Sequence, residues 1–287
     1  MRTIIVSDIK SNSKSVIPYG LHLAKNLETE TEILHIVDPR VVHGEYSSLS
    51  DSKSITPGHK LSQEEARLRE KKEAEKDLNS LLSREVSRLN YPLKVQTTIE
   101  EGKLEKEIDE RVKADAPPLF IISAEPDKTI FQSKSEIIDA VKNSGAMAII
   151  VPPGSKFRNF EKITLPVDFK KDKIDDFLEV KFLMKRFNPL VNVVSVTKHT
   201  NYLNLELKSK AWKKHAKESF LPETVKTNIL EGEDFAETLM NYTRRNKPDL
   251  LILFQKKPHL LKSFIEHDAV KKILENISSP VFLFYRK

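Results

Sequence analysis

The chain repeats itself, and that constrains its fold more than any other feature. "TIIVSDIKSNS" (3–13) and "ITLPVDFKKDK" (163–173) each run from an apolar segment through an aspartate into a polar stretch. Asp8 and Asp168 lie 160 residues apart, as do "LHIVDP" (34–39) and "VSVTKH" (194–199). Further along the spacing shrinks. "VQTTIEEG" (95–102) and "VKTNILEG" (225–232) share V-x-T-x-I-x-E-G at 130 residues, "PPLFII" (117–122) matches "PDLLIL" (248–253) at 131, and "AIIV" (148–151) matches "VFLF" (281–284) at 133. The order of segments is the same in both halves, so the chain holds one domain twice. The fall in spacing places about thirty extra residues in the first copy, between 40 and 94.

Each copy alternates short β-branched runs with stretches of 3.6-residue period. Strands are expected near 3–7, 32–37, 93–98, 118–123 and 147–151, then near 163–167, 189–196, 223–229, 249–254 and 280–285. Several are almost continuously apolar, as parallel strands buried on both faces are. Between them, Ile17, Gly20, Leu21, Ala24 and Leu27 share a helical face. So do Leu104, Ile108 and Val112, and likewise Ile174, Phe177, Val180, Met184 and Phe187. The pattern predicts an α/β protein with two tandem open parallel five-stranded sheets and helices on both faces. The Pro- and Gly-bearing stretch "PPGSKFRN" (152–159) separates a first domain, 1–153, from a second, 159–287. The first carries an insertion at about 41–75. Residues 42–60 read as a loop and 61–89 as a long helix with an apolar face at Leu78, Leu81, Leu82, Val86 and Leu89. Its charged first part reads as a solvated helix projecting past the sheet, with a lid or docking arm as the sharper alternative.

Composition excludes several functions. There is no cysteine, hence no disulfide, thiolate metal site or cysteine nucleophile. No apolar run approaches the ~18 residues of a membrane-spanning helix, and "MRTIIVSD" turns polar too soon for a secretory signal, so a cytoplasmic location is expected. The eight histidines show no H-E-x-x-H or H-x-H spacing, and no metal is expected. His43, Asp51 and His59 share one polar loop, read as solvated. Residues 1–155 carry 22 Lys and Arg against 25 Asp and Glu, and the remainder carries 26 against 17. The basic half is read as lysine on solvated helix faces, and nucleic acid is not expected as a partner. "KSKAWKKHAK" (208–217) stands out, with five lysines, no acid and the single tryptophan, Trp212. Trp212 is expected to pack on the sheet, and contact with an anionic surface is the alternative.

The ordered motifs "IIVSD", "EILHIVDP", "IEEG" and "ILEG", "PDLLIL" and the closing "SSPVFLF" resemble the universal stress protein family in its tandem, two-domain form. The resemblance spans nearly the whole chain. It implies a flavodoxin-like (adenine nucleotide α-hydrolase-like) sheet in each copy, and an internal pseudo-dimer in which "AIIV" meets "VFLFY". It also implies a ligand crevice beyond the carboxyl ends of the strands. The candidates there are Asp8, Val37, Ser123, Lys134, Ser135 and Asp168. Nucleotide-binding members carry a glycine loop after strand four, G-x2-G-x9-G-[S/T], because amides must approach the phosphates. Neither "SAEPDKTIFQSKSEIIDAV" (123–141) nor "FQKKPHLLKSFIEHDAVKKI" (254–273) contains a glycine. The family's Gly-[S/T] falls on Lys134–Ser135 and His267–Asp268, where Asp268 opposes a phosphate.

Each of these residues has a structural reading too. Asp8 and Asp168 suit hydrogen bonds to the turn that follows them. Ser133 and Glu136 form a capping-box pair, and Asp268 suits an N-cap. The sequence therefore points to a non-catalytic stress-type protein without a cofactor. It would act on a protein partner or a small apolar ligand, and a homodimer is allowed. The alternative is an ATP- or AMP-binding regulator using a degenerate site at Asp8, with Lys134, Lys256 and Lys257 as phosphate attractants. An α-hydrolase-type enzyme would need a phosphate loop after strand one, and "SDIKSNSKS" lacks glycine.

Overall fold

The computed structural model describes residues 1–38, 63–89, 93–113, 117–125, 134–198, 202–256 and 267–286. The loop at 42–60 with His43, Asp51 and His59, the capping residue Ser133, and Lys257 lie outside the described residues. The chain divides into two compact units, Met1–Ala146 with Pro153–Phe157, and Met147–Pro152 with Arg158–Lys287.

In the first unit, β1 (Arg2–Val6), β2 (Glu30–Val37), β3 (Val95–Glu101) and β4 (Leu119–Ser123) form a parallel sheet in the order β3-β2-β1-β4. Helix α1 (Val16–Leu27) packs on β1 so closely that a Cβ on Gly20 would stand 2.7 Å from Ile5 Cδ1. Ile17, Leu21 and Ala24 are buried beside it, which is the expected face. Helix α3 (Leu104–Val112) buries Leu104 and Ile108 and packs with α4 (Lys134–Ser144) on the opposite face.

The insertion helix α2 (Gln63–Arg88) lies along the α1 side of the sheet. Ala74, Leu78 and Leu89 are buried, while Leu81, Leu82 and Val86 are half-buried. Its charged first half does not simply project into solvent. Arg67 reaches Glu101 at 3.0 Å, and Lys10 lies 3.7 Å from both Glu70 and Asp77. Charges that look solvated in one dimension are tied to the ends of β1 and β3.

In the second unit, β6 (Lys162–Pro166), β7 (Leu190–Thr197), β8 (Val225–Glu231), β9 (Leu250–Lys256) and β10 (Val281–Arg286) are parallel. The strand β5 (Met147–Val151) adds to β10 in antiparallel register, with Ile149 opposite Phe282 and Ala148 opposite Leu283. This is the expected meeting of "AIIV" with "VFLFY". The order is β5-β10-β9-β6-β7-β8.

The helix expected over 174–187 is a 3₁₀ turn, Ile174–Val180, running into α5 (Lys181–Phe187). Phe177, Val180 and Leu183 are all fully buried. A spacing of three is what a 3₁₀ helix presents on one face, and an α-helix would turn the third residue away. Helix α6 (Tyr202–Ser219) packs beside it, while α7 (Phe235–Asn246) packs with α8 (His267–Asn276).

The repeat extends to single hydrogen bonds. Ser7 donates its amide to Leu34 O and Val167 donates to Val194 O, both at 2.8 Å. Ser11 and Lys171 each donate to the carbonyl of Asp8 or Asp168, both at 3.0 Å. Gly102 donates to Val37 O and Gly232 to Thr197 O, at 3.1 and 3.0 Å. Both first helices end in a left-handed residue, Glu28 (φ 55°) and Asn188 (φ 44°). The first, second and fourth of these pairs keep the 160-residue spacing, while the glycines keep the 130-residue spacing.

Candidate functional site

Strand order reverses between β1 and β4 in the first unit and between β6 and β9 in the second. At such a point two loops diverge and leave a crevice at the carboxyl ends of the strands. In the first unit, several polar side chains at this end bond to the chain's own backbone. Asp8 is fully buried, and its Oδ2 accepts the Val16 amide at 2.9 Å. Val16 opens α1, whose preceding residue, Ser15, makes no side-chain cap. Asp8 therefore caps that helix from the loop that follows β1, beside the positive end of its dipole.

Ser123 ends β4 and is buried, and its Oγ accepts the Glu125 amide at 3.0 Å. That turn carries Glu125 across the crevice, where its Oε2 accepts the Ser13 amide at 3.2 Å. Ser11 Oγ accepts the Lys14 amide at 3.1 Å, and Lys14 takes φ 44°. A loop amide that would be available to an anion therefore already has a carboxylate. Val37 is buried at the end of β2, and its role there is to accept the Gly102 amide. Lys134 and Ser135 open α4, with Ser135 half-buried.

The second unit treats the same place differently. Asp168 Oδ1 accepts the Lys170 amide at 2.9 Å, and its own amide donates to Asp172 Oδ2 at 2.8 Å. Again the aspartate organises its own turn. Phe169 follows it and meets Trp212 edge to face at 5.8 Å. Phe254 stands at the β9 position that Ser123 holds in β4. Its ring lies 5.3 Å from Phe177 and 5.1 Å from Phe284. Trp212 is buried against Phe169, Phe177 and Phe220, as expected of a core residue. Asp268 is exposed and sits within the first turn of α8 rather than ahead of it, so it is not that helix's N-cap. The N-cap device does appear at Asp234, whose Oδ1 accepts the Glu237 amide at 2.7 Å.

Aspartates 8 and 168 thus sit at the predicted crevices but are engaged locally. Ser123 ends β4 beside β1, and Val37 ends β2 beside β1, where its carbonyl accepts the Gly102 amide. Glu125, Ser13, Phe169 and Phe254 were not singled out from sequence. The only signal for Glu125 was its place in "SAEP", two residues after Ser123. Among the described residues, no three His, Asp or Glu side chains converge on a point that would hold a metal. None of their helices is long and apolar enough to cross a membrane.

On its other face the first unit buries an ionic cluster. Arg111 binds Glu107 at 2.7 Å and Glu32 at 3.2 Å, and Arg2 approaches Glu32 at 3.4 Å. Burial pulls the Arg111 pKa down, but the Glu107 and Glu32 carboxylates outweigh it and hold the guanidinium above its ordinary value.

An α/β unit with a crevice at the carboxyl ends of its parallel strands, present twice in one chain, defines a class seen in solved structures. A universal stress protein from Archaeoglobus fulgidus DSM 4304 matches with TM-score 0.68 at 14% identity, covering 99% of this chain and 98% of that one. A functionally unknown protein from Pseudomonas aeruginosa PAO1 matches with TM-score 0.60 at 13% identity, covering 99% and 92%. The chain is thus similar over its whole length to a universal stress protein, and at these identities the likeness is one of fold. No family profile matches the sequence, and no curated protein matches it.

Proposed function

We propose that this chain is a tandem universal-stress-type protein that acts in a stress response without catalysis. On this reading it binds a protein partner or a small ligand and does not use ATP. The full-length fold likeness supports the class. One observation carries the rest: the Glu125 carboxylate accepts the Ser13 amide across the β1–β4 crevice. A nucleotide phosphate there would meet a fixed negative charge and would have to displace it. The glycine-free segments at 123–141 and 254–273 and the aromatic side chains around Phe254 support the same reading. A triphosphate is held by closely approaching amides, which glycine favours, and by a polar lining, which aromatic rings do not supply.

The experiment is calorimetric titration of the purified chain with ATP and AMP, with native mass spectrometry of the untreated protein. The expected result is no heat of nucleotide binding at micromolar concentrations. Micromolar ATP affinity that is lost in Asp8→Ala would overturn the proposal and make the chain a nucleotide-binding regulator. A co-purified mass of a few hundred daltons would identify the small ligand, and its absence would leave a protein partner.

A further inference from the structure

Helix α6 has two opposite faces. Leu205, Ser209, Trp212 and Ala216 form its buried stripe at helical spacing. The outer ridge is Leu207, Ala211 and Lys214, all exposed. Leu207 is 71% exposed, more than any other large apolar side chain described. Lys208 and Lys210 flank it in solvent. Lys210 pairs with Glu206 at 3.0 Å, and Lys217 pairs with Glu223. Lys208, Lys213 and Lys214 have no carboxylate partner among the described residues.

A lone exposed leucine needs no explanation. Leu207, however, stands on a helix that carries three lysines without a described carboxylate partner, Lys208, Lys213 and Lys214, beside the paired Lys210. The insertion helix α2 is a useful contrast. Its exposed Leu68 lies among charges of both signs, with Arg69 bonded to Glu73 at 2.9 Å. The α6 face combines an apolar tip with an excess of lysines over carboxylates, Glu206 pairing only Lys210, the pattern of side chains that settle at a headgroup boundary.

We propose that the outer face of α6 docks on an anionic phospholipid surface, with Leu207 entering the headgroup boundary and Lys208, Lys213 and Lys214 meeting lipid phosphates and carboxylates. Charge complementarity selects the occupant. The exposed Leu207 at the tip of the ridge selects lipid over nucleic acid, because its side chain leaves water at a headgroup boundary, whereas a phosphate backbone offers it no apolar surface. This proposal does not rest on the ligand reading above.

The test is co-sedimentation of the full chain with vesicles of phosphatidylcholine, with and without phosphatidylserine. Binding is expected only to the serine-containing vesicles, and it should weaken as salt rises. Each lysine near such a surface contributes about 1 kcal/mol, so Lys208→Glu with Lys214→Glu should lower the partition coefficient by at least about tenfold. Leu207→Gln should lower it several-fold. Near-ultraviolet circular dichroism of the buried Trp212, on the opposite face, verifies that each variant is folded. Failure to bind the serine-containing vesicles overturns the proposal. So does equal binding to both vesicles, or binding that both variants leave unchanged. Tighter binding to duplex DNA than to vesicles, insensitive to Leu207→Gln, overturns it in favour of a nucleic-acid surface.

Discussion

If Asp8 caps α1, replacing it should cost stability, and by an amount the geometry sets. Its buried Oδ2 takes the Val16 amide at 2.9 Å. A hydrogen bond to a charged group in such a place contributes about 1.5–3 kcal/mol. The charge beside a helix N-terminus adds about 0.3–1 kcal/mol. Asp8→Ala removes both and leaves the amide buried, so a loss of about 2–4 kcal/mol is expected. Asp8→Asn keeps an acceptor and should lose only about 1 kcal/mol. For a unit of this size, 1 kcal/mol moves the melting temperature by about 2–4 °C. Differential scanning calorimetry, which can separate the transitions of two units, should show one of them falling by roughly 5–15 °C in Asp8→Ala. The reasoning fails if Asp8→Ala melts at or above the unaltered chain. That is how a residue held in place for a ligand, at a cost to stability, would behave.

Three further outcomes follow from local geometry. Arg111→Met should destabilise by about 3 kcal/mol in denaturant titration, at the low end for a broken buried pair because Arg2 still reaches Glu32. Replacing Glu32 and Glu107 with leucine in the same chain should restore most of that loss. Asp234 has its pKa lowered by the Glu237 amide and by Lys272. Its contribution is therefore present above the unfolded value of about 3.9 and lost as pH falls through the lower folded value. Asp234→Ala removes an N-cap and should cost about 0.5–1 kcal/mol at neutral pH, and the difference should shrink in acid-unfolding curves as pH falls through that window. Gly232→Ala would set a Cβ 1.9 Å from Thr238 Oγ1. It should cost about 1–3 kcal/mol by thermal melting, and Thr238→Ala in the same chain should recover part of it.

The strands were legible because their signals are local. Short apolar runs such as those at β4 and β9, rich in Ile and Leu and each just after a proline, suit strands buried on both faces. The change in repeat spacing located the insertion, and the matched amide bonds of Gly102 and Gly232 carry that same spacing. Trp212 was legible too, since a single aromatic among lysines on a helix has one apolar direction in which to point. The course of α2 was harder to read. Its charges look alike in sequence, and only their partners, Lys10 beyond β1 and Glu101 at the end of β3, separate a bridged helix from a projecting one.

By itself, the sequence determined the duplication, the α/β alternation and the absence of a glycine phosphate loop. Each is a matter of residue order, periodicity or residue type, whereas the meeting of the two last strands was expected only from the family resemblance and is seen in the register of β5 on β10. Only the tertiary structure decided which described side chains meet at the carboxyl ends of the strands. Ser13 and Glu125 stand 112 positions apart, and Phe169 reaches Trp212 across an intervening strand and helix. No local pattern encodes such pairings, because they exist only once parallel strands bring distant loops to the same end of a sheet. Asp8 shows the same limit at closer range. Its spacing marks it as a crevice residue, but the fold directs its carboxylate to the first amide of α1, where burial makes an unpaired N–H too costly to leave.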